Sequence, residues 1–204
     1  MIDVLRAFTV AHLAMMQGVE RIYLVSSIDE AFDFKTKHPE YLLAGEKDGL
    51  AIEGFDLDNS PAALLSHDLN GKTLVQKTSN GTKATLENLD ADKIFVTGFS
   101  NSRQLVNYLH TLAIQTLQVI PSRLKDDDFA VKDYIQALYD QKETSQLDII
   151  GRIVHSDVAE KFFTDSRFNP KDVIYATSEI KCDFVMEVKN IGTNNVYIEK
   201  CFIE

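Results

Sequence analysis

Residues 2–9 read Ile2-Asp3-Val4-Leu5-Arg6-Ala7-Phe8-Thr9, and this stretch decides how the chain is expected to fold. It begins as a short apolar run that carries an acid and then passes through Arg6 into a helical pattern that lasts to about Gly18. A strand that turns directly into a helix leaves the first helical N–H groups free, and the helix dipole favours negative charge there. Asp3 could hold a metal and Arg6 an anion, or the two could form a surface ion pair. The first of these alternatives predicts a phosphate site.

Strand patterns and helix patterns alternate along the rest of the chain, which is typical of an α/β fold. We expect three α/β/α layers around a mostly parallel or mixed sheet, in a single domain over residues 1–204, with two subdomains at about 1–120 and 121–204 left open. The predicted strands are 2–5, 21–25, 41–44, 72–76, 93–97, 116–120, 184–188 and 196–202, the last two joined by a hairpin turn over 190–195. The predicted helices are 7–17, 28–37, one ending near 89, one over 105–112, one opening at 126–128 and one over 153–163, while 173–176 is a strand or a helix end.

The composition describes an ordinary globular protein and excludes several partners. Of its 204 residues 45% are apolar and 25% charged, and the net charge is −10. Nucleic acids and anionic membranes need a basic face, so neither is expected. Cys182 and Cys201 lack metal-ligand spacing and are predicted to be buried thiols in a reducing compartment. The sequence shows no signal peptide and no apolar run of bilayer length, so we expect a cytoplasmic protein, with a homodimer left open.

Polar turns follow three of the predicted strands, over residues 3–9, 78–82 and 98–102. Ligands bind outside the carboxyl ends of parallel strands, so the three turns are expected to converge on one edge of the sheet. The run Asp126–Asp128 is predicted to complement the dipole of the helix that it opens, in preference to the alternative of metal binding. The long segment 47–61 is expected to be ordered, because Phe55 and Leu57 give it apolar anchors.

Taken in order, these stretches resemble the 2-phosphosulfolactate phosphatase family, a family of Mg-dependent phosphatases. Weaker matches are Gly98-Phe99-Ser100-Asn101 and the helix that contains Asp133. The match covers roughly the first half of the chain and fades over the last sixty or so residues. The motifs that carry the resemblance are Ile2-Asp3-Val4-Leu5-Arg6-Ala7-Phe8-Thr9, Leu43-Ala44-Gly45-Glu46, Gly54-Phe55-Asp56-Leu57-Asp58-Asn59-Ser60-Pro61, Gly71-Lys72-Thr73-Leu74-Val75 and Thr78-Ser79-Asn80-Gly81-Thr82.

The resemblance implies hydrolysis of a small anionic phosphate monoester with Mg²⁺. Arg6 is expected to clamp phosphoryl oxygens with two donors, and the N–H groups of residues 80–82 are expected to cradle the phosphate. The expected metal ligands are Asp3, Glu46, Asp56 and Asp133. The expected catalytic residues are Asp3, Arg6 and Asp56. The expected substrate-binding residues are Arg6, Thr9, Asn59, Ser60, Thr78, Asn80, Gly81, Thr82 and Asn101.

The chain also departs from the family pattern, and these departures leave alternatives open. An acidic pair expected in the later helix is here Lys132-Asp133, and a small-residue turn expected after residue 120 is here Pro121-Ser122-Arg123. Family members usually have a further segment before the first motif. The alternative function is a catalytically decayed member that binds a phosphorylated or anionic ligand without turnover. The sequence also leaves open whether a carboxylate or a metal-bound water attacks phosphorus, and whether residues 58–61 serve the site or form an Asx turn before a helix.

Overall fold

A computed structural model describes residues 1–193 and 195–203 of the chain. The strands that it contains are β1 (Arg21–Leu24), β2 (Leu42–Lys47), β3 (Leu50–Ala51), β4 (Thr73–Lys77), β5 (Ile94–Val96), β6 (Phe184–Lys189) and β7 (Tyr197–Phe202). The helices are α1 (Ala7–Met16), α2 (Ile28–Lys37), α3 (Pro61–Leu64), α4 (Gly81–Leu86), α5 (Ser102–Leu109), α6 (Asp126–Tyr139), α7 (Gln146–Val154), α8 (Asp157–Thr164) and α9 (Lys171–Ala176).

The strands form one mixed sheet in the order β3-β2-β4-β1-β7-β6-β5. Strand β4 pairs in parallel with β1 and with β2, whereas β2·β3, β1·β7, β7·β6 and β6·β5 are antiparallel. The α/β fold with a mixed sheet is therefore confirmed, and a mostly parallel sheet is wrong. The reason lies in β6 and β7, which form an antiparallel hairpin inserted between β1 and β5. Lys189 pairs with Tyr197 across that hairpin, and Asn194 of its predicted turn lies outside the described residues.

Helices cover both faces of the sheet, because successive strand side chains point to opposite sides. Helix α1 is apolar nearly all round and buried along nine of its ten residues, and it packs on one face against Ile22, Leu24 and Leu74. On the opposite face, α2 packs beside β1, β2 and β4, and α5 packs beside β6. The segment 2–5 and helices α6 to α9 share a further apolar cluster. This helical cluster brings the last third of the chain against the opening motif.

The predicted strands 2–5 and 116–120 are absent, and their segments meet at a single bridge between Ile2 and Pro121. Ile2 forms one parallel bridge to Thr97 and another to Pro121, and the segments 2–5 and 116–121 have no further β pairing. Residues 4–6 already turn toward α1, because the Asp3 carboxylate accepts a hydrogen bond from the Ala7 N–H at 2.9 Å. The opening stretch is thus a bridged residue followed by a turn. It still passes directly into a helix, as its sequence predicts.

The other differences are local. The helix predicted over 153–163 is broken into α7 and α8, because Ser156 caps α8 by accepting a hydrogen bond from the Ala159 N–H. Residues 173–176 belong to helix α9. Cys182 and Cys201 are free and only partly buried. In the part of the chain that the structure describes, no helix is long and apolar enough to cross a membrane.

Candidate functional site

Asp3 lies at the centre of a tightly packed contact between the opening turn and the start of α4. Its side chain is 3% exposed, and its Oδ2 accepts a hydrogen bond from Ser122 Oγ at 3.0 Å, beside the Ala7 contact on Oδ1. Gly81 at the start of α4 lies against it, so that a Cβ added to Gly81 would come 2.8 Å from Asp3 Oδ2. Gly81 is therefore required for the close approach of α4 to the Asp3 carboxylate.

Arg6 connects three distant parts of the chain. Its Nη1 donates to Asp172 Oδ2 at 2.9 Å and its Nη2 donates to the Gly49 carbonyl at 2.8 Å. The guanidinium carbon lies 5.2 and 5.6 Å from the ring centres of Phe162 and Phe168. Arg6 is therefore neither a surface residue nor the ion-pair partner of Asp3. Both of its amino groups already donate one hydrogen bond within the protein, so a two-pronged grip on phosphate stays a prediction.

Glu46, near the end of β2, fixes the loop that precedes α4. Its Oε1 accepts a hydrogen bond from the Ser79 N–H at 2.5 Å, and its Oε2 accepts one from the Gly49 N–H at 2.5 Å. Ser79 Oγ adds a third donor at 3.1 Å. Because β2 and β4 are parallel, Glu46 and the residues that follow β4 lie at the same edge of the sheet, as the sequence predicted.

These residues surround a pocket of about 170 Å³, which is small beside the roughly 300–1,000 Å³ of sites for drug-sized ligands. Six of the predicted site residues line it, namely Asp3, Arg6, Glu46, Asn59, Thr78 and Asn80. Leu5, Asp48, Gly49, Ser79, Arg123 and Lys161 complete the lining. The side-chain oxygen of Asn59 is buried without a hydrogen-bond partner among the described residues, so it is available to a ligand. The size and lining of the pocket suit a small anionic molecule.

A second, larger cavity of about 780 Å³ lies between β5, the end of α5 and residues 112–120. Its lining includes Asp90, Asp92 and Lys93 but none of the predicted site residues. Volume alone would favour this cavity as the site. The convergence of polar and charged side chains favours the smaller one.

A buried acidic cluster behind the pocket was missed by the sequence analysis. Ser122 Oγ lies 3.0 Å from Asp3 Oδ2 and 2.9 Å from Asp128 Oδ2, and Arg123 Nη2 donates to Asp127 Oδ2 at 2.9 Å. Asp127 and Asp128 lie in the first turn of α6, as expected for residues that complement its dipole, but they are also fully buried and belong to this cluster. A signal was available in the sequence. Asp128 precedes Val131 by three residues and Asp127 precedes it by four, which places both acids on the buried stripe of α6.

This cluster contains three carboxyl groups but only one guanidinium group, that of Arg123. Burial raises the pKa of Asp3 and of Asp127, and burial together with the charges of Asp3 and Asp127 raises the pKa of Asp128 well above its ordinary value. Arg123 opposes these shifts for all three carboxyl groups. The Ser122 hydroxyl carries one hydrogen, so while it donates to Asp3, its contact with Asp128 Oδ2 is a hydrogen bond only if Asp128 is protonated. The cluster therefore favours uptake of a proton or of a cation.

Asp56 and Asp133 do not reach the pocket, and their placement corrects the expected four-carboxylate set. Asp56 Oδ2 accepts hydrogen bonds from the Leu43 N–H at 2.8 Å and from Lys35 Nζ at 3.1 Å. Leu43 is near the start of β2, whereas the pocket lies at its end. Asp133 pairs with Arg152 on the exposed side of α6. Among the described residues, no three His, Cys, Asp or Glu side chains form a group that could hold a metal ion.

Three other predicted binding residues, Thr9, Thr82 and Asn101, have partners within the protein. Thr9 Oγ1 donates to the Val4 carbonyl at 2.8 Å, and Asn101 Oδ1 accepts from Thr97 Oγ1 at 2.9 Å. The Thr82 N–H donates to Thr78 Oγ1 at 3.0 Å, so it is not free to cradle a phosphate. The turn after β5 packs behind the opening turn and does not line the pocket. Strand β5 runs opposite to β4, so the shared-edge argument fails for the 98–102 turn.

The contacts of Ser60 show that residues 58–61 form an Asx turn before helix α3. Its N–H donates to Asp58 Oδ1 at 2.9 Å in an Asx turn, and its Oγ accepts from the Ala63 N–H as the cap of α3, with Pro61 as the first helical residue. Ser60 Oγ also donates to Asp172 Oδ1 at 2.7 Å. The turn is therefore a helix cap that also holds the partner of Arg6, while Asn59 beside it lines the pocket.

The fold and the pocket define an α/β protein with a small, charged site for an anionic ligand. The family model described as 2-phosphosulpholactate phosphatase matches residues 1–191 of this chain. A Bacillus subtilis protein named probable 2-phosphosulfolactate phosphatase is 43% identical over 198 residues, covering 94% of this chain and 86% of that protein. Proteins with the same name from Carboxydothermus hydrogenoformans and Clostridium perfringens are 35% and 31% identical, covering 87% and 93% of this chain and 71% and 85% of those proteins. The chain belongs to the 2-phosphosulfolactate phosphatase family, a family of phosphoric monoester hydrolases.

Proposed function

We propose that this protein hydrolyses a small anionic phosphate monoester, with 2-phosphosulfolactate as the first candidate substrate, at the pocket around Asp3, Arg6 and Glu46. The observation that carries the proposal is the convergence of these three residues with the 78–80 turn in one small pocket. The family match over residues 1–191 supports the same reaction class. In the reaction, water adds to phosphorus, the bond from phosphorus to the ester oxygen breaks, and an alcohol and inorganic phosphate leave.

Catalysis of this reaction depends mainly on positioning and on neutralising the charge of the phosphoryl oxygens. Arg123 lines the pocket and supplies positive charge there. The Asp3 carboxylate is held by two donors, so it presents its oxygens in a fixed orientation. We assign Asp3 as the catalytic carboxylate of the site. Arg6 positions this region through Asp172 and Gly49, and its contact with the ester is a further part of the proposal.

Mg²⁺ is the cofactor that we propose, and the pocket fits it with fewer protein ligands than the sequence suggested. Mg²⁺ in phosphate-handling sites usually takes one or two carboxylates and keeps several waters. Asp3 and Glu46 line the pocket, and the unpartnered Asn59 oxygen is a further hard donor. Asp3 and Glu46 would hold the ion. Bound Mg²⁺ would neutralise part of the phosphoryl charge.

The test is release of inorganic phosphate from 2-phosphosulfolactate, measured with Mg²⁺ and again with excess chelator. We expect turnover with Mg²⁺, and its loss in the chelator and in Asp3→Asn. Asp148→Asn, the same change at an exposed position of α7, is the matched control and should keep wild-type activity. Binding of the ester without turnover would contradict the enzyme proposal and would favour the alternative of a binding protein.

A second readout does not depend on activity. Mg²⁺ that binds only the folded protein raises its free energy of unfolding, by about 2.7 kcal/mol when the free ion is at 100 times its Kd. We expect Mg²⁺ to raise the Tm of the wild type and of Asp148→Asn but to have much less effect on Asp3→Asn. An equal increase in all three proteins would show that Asp3 does not hold the ion.

A further inference from the structure

Lys161 of α8 lines the pocket, and it was not among the site residues predicted from the sequence. The side chain is partly buried, and its ammonium nitrogen lies 4.7 Å from the ring centre of Phe168 and 5.5 Å from that of Phe162. The absence of a side chain at Gly49 leaves room beside it, because an added Cβ there would lie 3.3 Å from Lys161 Nζ. The two rings and this space hold the ammonium at the pocket wall.

The charges of the pocket single out Lys161 among its cations. Three basic side chains line the pocket, and two of them have acidic partners: Arg6 pairs with Asp172, and Arg123 pairs with Asp127 and Asp128. The Lys161 ammonium forms neither a hydrogen bond nor an ion pair with any described residue. Burial and the neighbouring guanidinium groups lower the pKa of Lys161, and the more weakly felt charges of Glu46 and Asp127 do not reverse this shift.

We propose that Lys161 binds a second anionic group of the substrate, a carboxylate or sulfonate on its carbon skeleton, and so selects esters that carry one. This inference rests on the proposed function, because it assigns the part of the same pocket that recognises the rest of the substrate. A partly buried ammonium without a counter-ion gains from an anion that enters the pocket. The phosphoryl group is left to the side of the pocket formed by Asp3, Glu46 and residues 78–80. Lys161 thereby determines specificity.

The experiment compares three esters with the same three-carbon skeleton. Isopropyl phosphate has no second anion, 2-phospholactate adds a carboxylate, and 2-phosphosulfolactate adds a carboxylate and a sulfonate. The variants are Lys161→Met, which removes the charge and keeps the length, and Lys161→Arg, which keeps the charge. Lys181→Met, at an exposed position outside the pocket, is the matched control. Tm values establish that each variant is folded.

For Lys161→Met we expect kcat/KM to fall at least tenfold more for one or both acidic esters than for isopropyl phosphate, mainly through KM. Lys161→Arg should restore most of this selectivity, and Lys181→Met should match the wild type. An extra loss that appears already with 2-phospholactate would identify the carboxylate as the group that Lys161 binds. An extra loss that appears only with 2-phosphosulfolactate would identify the sulfonate. An equal loss on all three esters would overturn the proposal, because it would place Lys161 at the phosphoryl group or in the structure alone.

Failure of the proposed function would be recognised separately. If the wild type hydrolyses none of the three esters, the enzyme proposal fails, and the Lys161 subsite is then judged by calorimetric binding of sulfolactate, which has the two acidic groups and no phosphate. At least tenfold weaker binding to Lys161→Met than to Lys181→Met would support the subsite. Equal affinity for the two variants would overturn it.

Discussion

Gly81→Ala tests the close packing on which the site depends. The added Cβ would lie 2.7 Å from the Ala7 Cβ and 2.8 Å from Asp3 Oδ2, whereas non-bonded carbon atoms prefer separations of about 3.5–4.0 Å. Neither neighbour can move away easily. Ala7 is in the buried first turn of α1, and the Asp3 carboxylate is held by hydrogen bonds from the Ala7 N–H and from Ser122. The methyl group must therefore push α4 away from α1 or push Asp3 out of place.

The magnitude follows from two opposing effects. Overpacking of a buried site costs about 1–3 kcal/mol, while replacing glycine by alanine gains about 0.4–1 kcal/mol by restricting the unfolded chain. We expect a net loss of about 1–2 kcal/mol in the free energy of unfolding. At about 2–4 °C per kcal/mol for a chain of this size, Tm should fall by roughly 2–8 °C. Displacement of Asp3 should also lower kcat/KM, by a factor on the order of 10 to 100.

The matched control is Gly151→Ala, where the same substitution should have the opposite effect on stability. Gly151 lies inside α7, and an added Cβ there would meet no atom within 4 Å. Alanine is favoured over glycine in a helix by about 0.8–1 kcal/mol, so we expect this variant to gain stability and keep full activity. Thermal unfolding and phosphate release would be measured on both variants. If Gly81→Ala were as stable and as active as Gly151→Ala, the packing argument at Asp3 would be refuted.

Three further substitutions test the groups around the pocket and in the core. Arg6→Ala should lower kcat/KM at least tenfold, a loss of about 1.4 kcal/mol, and should cost about 3 kcal/mol of stability in urea unfolding because Asp172 is left buried without its cation. Ser60→Ala should cost about 2 kcal/mol, since it removes the cap of α3 and a hydrogen bond to Asp172; a higher KM at unchanged stability would instead make Ser60 a substrate contact. Burial lowers the pKa of His12 from 6.5 to about 4, so the folded protein binds fewer protons than the unfolded chain in that interval. The wild type should therefore lose about 2 kcal/mol more stability than His12→Gln between pH 7 and pH 4.5, and equal losses would contradict the assignment.

The parts of the fold that were predictable are those that depend on local pattern. The apolar α1, the capped α2 and the strands β1 and β4 follow from periodicity and from capping residues such as Ser27, whose hydroxyl accepts a hydrogen bond from the Glu30 N–H. The direction of β6 and β7 in the sheet was not predictable from periodicity. Alternating apolar residues have the same pattern in parallel and antiparallel strands, and only the short connection between the two strands indicated a hairpin.

The site was predictable to the extent that its residues lie in short motifs. Asp3, Glu46 and the 78–82 turn were selected from stretches where a strand pattern passes into a polar turn. Of these, Asp3, Glu46 and residues 78–80 line the pocket, whereas Gly81 and Thr82 do not. The partners of these residues could not be read from local pattern. The carboxylate that binds Arg6 is 166 positions away, in a part of the chain where the sequence gives no special signal. Asp56 is a case in which a motif was misleading. Its motif suggested a metal ligand, but its carboxylate accepts a hydrogen bond from the Leu43 N–H and fixes the beginning of β2.

The charge of the buried cluster connects the fold to the proposed chemistry. Asp3, Asp127 and Asp128 are buried together with one guanidinium group, that of Arg123, so ionisation of all three leaves an excess of negative charge. Buried charges without counter-charges are costly, and an excess of this kind is stable only if protons or a cation balance it. A divalent cation near Asp3 would supply that balance and would at the same time attract the phosphate ester that an acidic protein otherwise repels. If the protein binds Mg²⁺ as proposed, the buried acids of α6 would favour that binding through their negative charge.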